Sequence, residues 1–251
     1  MKSAELWVDP WFPWRPDERE GAVRLFCAPY AGGSAAVYAR WRPEADRAID
    51  LVPLEPPGRG ARVHERPFAE LAPLVASLAD AVEPYSDEPY ALFGHSMGAI
   101  VAFELARELR RRGAPAPRHL FAAARRAPQV PVRRGPLHRL DDDGLVEALR
   151  ELNGTPASAL ADPDFRIRFL PVIRADLAAS DGAPHHEEPP LDCPIDVFAG
   201  RDDGVEPADL EAWGAHTHGP FTLTWFEGDH FFLHDARAEI LALIAARLAA
   251  D

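Results

Sequence analysis

One serine in the chain stands in a setting that could make it a nucleophile. Gly94-His95-Ser96-Met97-Gly98 fits G-x-S-x-G, follows the apolar run Tyr90–Phe93 and opens a helical pattern from Met97 to Arg112. A serine on a tight strand-to-helix turn is lifted above the sheet edge. The amide N–H groups at the start of the helix behind it have no intrahelical partners and can face a developing oxyanion. Glycines on both sides remove side chains where strand and helix come close.

A serine hydroxyl needs a base, and the base needs an orienting acid. In chain order the set runs Ser, acid, His. There are ten histidines in all, and His185, His186, His216, His218, His230 and His234 lie far downstream of Ser96. His230, in FEGDHFFL, falls between the last apolar strand and the last helix, in a loop at a strand's carboxyl end. The acid should follow the preceding strand, PIDVFAG, where Asp202 and Asp203 are adjacent and neighbours on one loop cannot be told apart by position. Its task is to hold one imidazole tautomer and stabilise the charged ring. A second oxyanion donor is expected from Pro29-Tyr30-Ala31-Gly32-Gly33-Ser34, whose glycines let backbone N–H groups face a ligand. A phosphate-binding loop is disfavoured, because neither G-x-G-x-x-G nor the P-loop lysine is present.

The elements around these residues alternate. Apolar strands are expected at Val23–Ala28, Asp50–Glu55, Tyr90–Phe93, His119–Ala124, Pro194–Gly200 and Phe221–Glu227, with helices at about 35–42, 68–82, 97–112 and 236–248. That rhythm gives an α/β fold with a mostly parallel sheet and helices on both faces. One stretch, about 127–190, lacks a strong strand and holds helical patterns near 144–152 and 164–179. An insertion there reads as a helical lid on a single domain spanning 1–251. Leu6–Pro16, with three tryptophans and three prolines, reads as an irregular arm held to the body by its aromatics.

The whole chain bounds the function. Its 251 residues can bury a sizeable core, and 47% hydrophobic content is ordinary. A net charge of -13 argues against a nucleic-acid partner. No apolar run suggests a membrane span, and the amino terminus does not read as a secretory signal. The two cysteines, Cys27 and Cys193, fall on strand-like segments and read as buried free thiols, so a cytoplasmic protein is expected. No zinc-ligand spacing appears, and neither a metal nor an organic cofactor is expected.

The segments LFCAPYAGGSA, EPPGRGAR, YALFGHSMGAIVAFELA, HLFAAARRAP, DCPIDVFAG and GPFTLTWFEGDHFFL together resemble the type II thioesterases of non-ribosomal peptide and polyketide synthases, over nearly the whole chain. The resemblance implies an α/β-hydrolase fold, Ser96 as nucleophile, His230 as base and oxyanion N–H groups at Met97 and Ala31. It favours Asp202 as the acid, three residues before Val205 and eleven before Trp213, although a count forward from Gly200 favours Asp203. It implies hydrolysis of acyl groups from the phosphopantetheine arm of acyl or peptidyl carrier proteins, clearing stalled or misloaded chains. A monomer is expected. Phe165, Phe169, Leu170 and Ile173 are candidates to line an acyl pocket under the lid. Arg125, Arg126, Arg133 and Arg134, or Arg110 to Arg112, are candidates to dock an acidic carrier. Two other classes compete: a carboxylester hydrolase or acyltransferase on free small molecules, and a catalytically silent binding module.

Overall fold

In the computed structural model, residues 9–14, 19–133, 135–182 and 184–249 are described. Six strands form one sheet: β1 (Val23–Ala28), β2 (Ile49–Pro53), β3 (Tyr90–His95), β4 (Leu120–Ala123), β5 (Ile195–Gly200) and β6 (Phe221–Phe226). Their order is β2-β1-β3-β4-β5-β6, and every pairing is parallel. The apolar runs make these strands because both faces are covered: β1, β3, β4 and β5 are buried along almost their whole length.

The helices are α1 (Leu71–Val82), α2 (Met97–Arg111), α3 (Asp142–Glu151), α4 (Ala157–Leu160), α5 (Pro163–Arg168), α6 (Leu170–Gly182), α7 (Pro207–Glu211) and α8 (Arg237–Ala249). On α1 the three- and four-residue steps Leu71, Leu74, Val75, Leu78 and Val82 are all buried. One cluster joins α1 and α2 to one sheet face, together with Trp11 and Phe12 of the amino-terminal arm. Phe12 packs edge-on against Tyr85, and the Arg62 guanidinium lies over Trp11. The ends of the expected arm, 6–8 and 15–16, lie outside the described residues. Across the sheet, Ile240, Leu241, Ile244 and Leu248 of α8 join Tyr38 and Trp41 in a second cluster. Cys27 and Cys193 are free and buried, and burial pushes the Cys193 thiol up to about 12.

Two helical expectations change. The segment 35–42 holds only a short 3-10 turn, Ala35–Tyr38, followed by turns. The buried rings of Tyr38 and Trp41 fix the chain by packing instead. The insertion between β4 and β5 is helical as expected, but its second helical stretch is two helices, α5 and α6, that meet at Phe169 and Leu170. Leu145, Val146, Leu160 and Leu170 give the insertion a small core of its own.

The topology places a site. From β1 the chain moves outward to β2, then returns to β3 on the other side of β1. The crevice beyond the carboxyl ends of β1 and β3 is therefore a topological switch point, where ligands of open parallel sheets bind.

Candidate active site

Ser96 sits at that crevice, between the last residue of β3 and the first of α2. Its backbone is left-handed, φ 55° and ψ -112°, a strained conformation for a residue with a side chain. Its N–H donates to the Ala123 carbonyl at 2.8 Å, tying the elbow to β4. A Cβ on Gly94 would lie 2.0 Å from the Gly98 oxygen, and one on Gly98 would lie 2.1 Å from the Ala28 oxygen. Only glycines allow the helix start to approach this closely. That second contact also sets the loop after β1 on the amino end of α2. Ala31 packs against the large cluster that also contains Met97.

The loop after β6 carries His230. Its Nδ1–H donates to Asp203 Oδ1 at 2.7 Å, and the Asp203 side chain is 4% exposed. The bond puts the proton on Nδ1 and leaves the Nε2 lone pair free, the tautomer that a general base needs. The carboxylate that reaches His230 is that of Asp203, the alternative acid, and not that of Asp202. The Asp202 N–H donates to the Gly228 carbonyl at 2.9 Å, which pins that residue to the base of the histidine loop, and Asp202 itself is exposed. The next residue along then turns inward. A Cβ on Gly200 would lie 2.5 Å from the Asp229 oxygen, so the loops after β5 and β6 touch backbone to backbone.

Several residues outside the sequence expectations complete the site. His95 is fully buried, and its Nε2–H donates to the His230 carbonyl at 2.8 Å, joining the elbow to the base loop. Burial, with His230 nearby, holds the His95 imidazole well below the ordinary histidine range, so it is neutral. Tyr30 packs edge-on against Phe231 at 4.9 Å and against His95 at 5.8 Å, bridging the loops after β1 and β6. From the insertion, Asn153 Nδ2 donates to Asp229 at 3.0 Å, and Gly154 lies against the Phe231 ring. His95, Tyr30 and Asp229 stood inside the quoted motifs, and their motif membership was the only signal. Asn153 and Gly154 had none.

Of the four apolar candidates on the insertion, Ile173 is the one that meets the loop after β1. It packs on Gly32, whose φ is +77°. Leu170 and Phe165 belong to the core of the insertion, and Phe169 is 48% exposed and stacked on Phe165. Leu170 also lines a surface cavity with His138, Arg166 and Arg174. The arginine clusters are also engaged. Arg125 and Arg126 reach Asp181, and Arg133 reaches Asp209. Arg110, Arg111 and Arg112 pair with Glu188, Glu108, Asp80 and Glu83. Arg134 lies outside the described residues. Paired arginines offer an acidic partner much less than their formal charge.

Comparison with known proteins decides the family. The thioesterase domain model matches residues 23–248. The chain belongs to the thioesterase family. Its α/β-hydrolase fold and thioester hydrolysis go with that membership. The chain is 36% identical over 242 residues to the gramicidin S biosynthesis protein GrsT of Aneurinibacillus migulanus, covering 96% of this chain and 94% of that one. RedJ, a thioesterase from the prodiginine pathway of Streptomyces coelicolor, superposes with a TM-score of 0.86 at 39% identity, covering 98% of this chain and 97% of RedJ. BorB, the type II thioesterase of the borrelidin cluster, superposes with a TM-score of 0.85 at 37% identity over 99% of this chain and all of BorB (100%). Among the described residues, no helix is long and apolar enough to cross a membrane.

Proposed function

We propose that this thioesterase removes acyl groups from the phosphopantetheine arm of acyl or peptidyl carrier proteins, clearing stalled or misloaded chains in polyketide or non-ribosomal peptide synthesis. The observation that carries the mechanism is the 2.7 Å bond between His230 and buried Asp203, on a loop joined to the strained Ser96 elbow. The support for the substrate is likeness to GrsT and to the type II thioesterase BorB over nearly the whole chain.

His230 Nε2 takes the Ser96 hydroxyl proton as Oγ attacks the thioester carbonyl carbon. The tetrahedral oxyanion is held by the Met97 and Ala31 N–H groups. Loss of one such donor typically costs about 10²–10³ in rate. The intermediate collapses, the C–S bond breaks, and the pantetheine thiol leaves with the proton from His230. Water, deprotonated by His230, then attacks acyl-Ser96 by the same route and releases the free acid. Asp203 stabilises the imidazolium in both half-reactions. The chemistry closes on the protein's own groups and water. The chain acts as one hydrolase domain, monomeric and cytoplasmic, with the insertion between β4 and β5 as its lid.

The test is deacylation of carrier proteins loaded with acetyl, propionyl and longer acyl groups, set against oxygen esters of the same acids. Faster turnover of the carrier-bound thioesters is expected. Turnover of free esters but not of loaded carriers would replace this substrate with a small-molecule ester.

A further inference from the structure

The lid and the oxyanion loop are joined by a buried ion pair that the catalytic cycle does not use. Asp176, on α6 of the insertion, is 3% exposed, and Arg59, in the PPGRG loop after β2, is 6% exposed. The pair is bidentate, with Arg59 Nη1 donating to Oδ2 at 2.5 Å and Nη2 to Oδ1 at 2.8 Å. The same guanidinium donates to the Gly33 carbonyl at 3.1 Å and to the Pro57 carbonyl at 3.1 Å. The Gly32 N–H donates to Asp176 Oδ2 at 2.7 Å. Both sides of the Gly32–Gly33 turn are therefore held, one N–H by the lid's carboxylate and one carbonyl by the arginine. One turn earlier on α6, on the same face, Ile173 closes over Gly32: a Cβ there would lie 2.6 Å from Ile173 Cγ1.

Chemical consequences follow for the neighbouring residue. With its N–H committed to Asp176, Gly32 cannot serve as an oxyanion donor, and the adjacent Ala31 N–H is left for that task. A glycine-rich turn has little conformational preference of its own, so its direction is set by what binds it. A lone carboxylate beside a developing oxyanion would oppose the reaction, and the bidentate guanidinium cancels its charge. We propose that Asp176 is a positioning residue: α6 of the lid supplies the carboxylate that orients the Gly32 peptide, so the Ala31 donor is aimed only while the lid is docked. This rests on the proposed reading of Ser96 as nucleophile and Ala31 as oxyanion donor.

The test compares Arg59→Met/Asp176→Leu, which removes both charges together, with Asp176→Asn, which keeps a carbonyl oxygen for the Gly32 N–H. A buried ion pair replaced by apolar groups of similar volume often preserves stability, so the double variant separates folding from positioning. Acetyl and octanoyl N-acetylcysteamine thioesters are the probes. In a double variant that melts cooperatively, kcat should fall by about 10²-fold on both thioesters, with KM within about 3-fold, since small misplacements of catalytic donors act on the transition state. Asp176→Asn should recover most of that kcat. The acid limb of the kcat/KM pH profile should not move in the double variant, which removes the two charges together. An unchanged kcat in the folded double variant, a loss confined to KM for the octanoyl substrate, or a shifted acid limb in that variant would overturn the proposal. Should the double variant lack a cooperative melt, Asp176→Ala against Asp176→Asn carries the same comparison, and equal kcat in the two overturns it. Ser96→Ala is assayed alongside: wild-type rates there would overturn the nucleophile reading itself, independently of Asp176.

Discussion

Replacing Asp203 with asparagine changes one oxygen for an NH₂ group and leaves the shape of the acid loop intact. The consequences for His230 are large. The amide can present its NH₂ to Nδ1, which then becomes the acceptor and moves the ring proton to Nε2, the nitrogen that must take the Ser96 proton. Even with the amide oxygen facing Nδ1, the imidazolium formed at each step loses its counter-charge, in a place where the Asp203 side chain is only 4% exposed and water screens little. Loss of the orienting carboxylate in a Ser-His-Asp triad costs about 10⁴ in kcat, equivalent to roughly 5 kcal/mol of transition-state stabilisation. Asp202→Asn alters an exposed side chain one position away and should leave kcat within about 2-fold, as surface changes usually do. The assay is steady-state hydrolysis of an acyl thioester, with thiol release followed by a chromogenic disulfide. Stability of all three proteins is checked by thermal melting. Loss of activity in Asp202→Asn, with Asp203→Asn near wild type, would refute the assignment.

Further predictions concern the scaffold of the site. Gly98→Ala places a methyl 2.1 Å from a backbone oxygen of β1, so a destabilisation of about 3 kcal/mol or more is expected in urea denaturation, and a loss under 1 kcal/mol would contradict the elbow packing. His95→Phe keeps the ring but leaves the His230 carbonyl without its donor. About 1–3 kcal/mol of stability should go, with a fall in kcat larger than any rise in KM, and an unaltered kcat would remove His95 from the positioning of His230. His216 is held down at about 4 by burial first, then by His185 and Arg107, below the roughly 6.5 of an unfolded histidine. Between those values the unfolded chain binds the extra proton. The His216 contribution is therefore complete above pH 6.5 and is lost as pH falls toward 4, by no more than about 3 kcal/mol. The drop in Tm from pH 7 to pH 5 should be smaller in His216→Phe than in wild type, and equal drops would contradict it.

The parallel sheet was legible because its inner strands β1, β3, β4 and β5 are short apolar runs flanked by turn residues, buried along almost their whole length. The elbow was legible for a local reason: Gly94, Ser96 and Gly98 must adopt their geometry within five residues. The acid was not. Asp202 and Asp203 differ by one position, and which of them turns inward is set by a backbone bond from Asp202 to Gly228, a contact made only once β5 and β6 pair. The segment 35–42 has helical periodicity, but the packing of Tyr38 and Trp41 holds it as a short 3-10 turn and further turns. Arg59 and Asp176 stand 117 residues apart and share no motif, so their pairing emerges only from the docking of α6 on the loop after β2.

The central claim is that Ser96 itself receives the acyl group from a carrier-bound thioester. The direct measurement is rapid mixing with an acyl-loaded carrier protein, acid quenching within the first turnover, and mass analysis of the peptide that contains Ser96. An acyl mass increment on that peptide, absent in Ser96→Ala and formed far more slowly in Asp203→Asn, is the predicted result. Free acid appearing at the wild-type rate from Ser96→Ala, or an acyl group on a different residue, would contradict it.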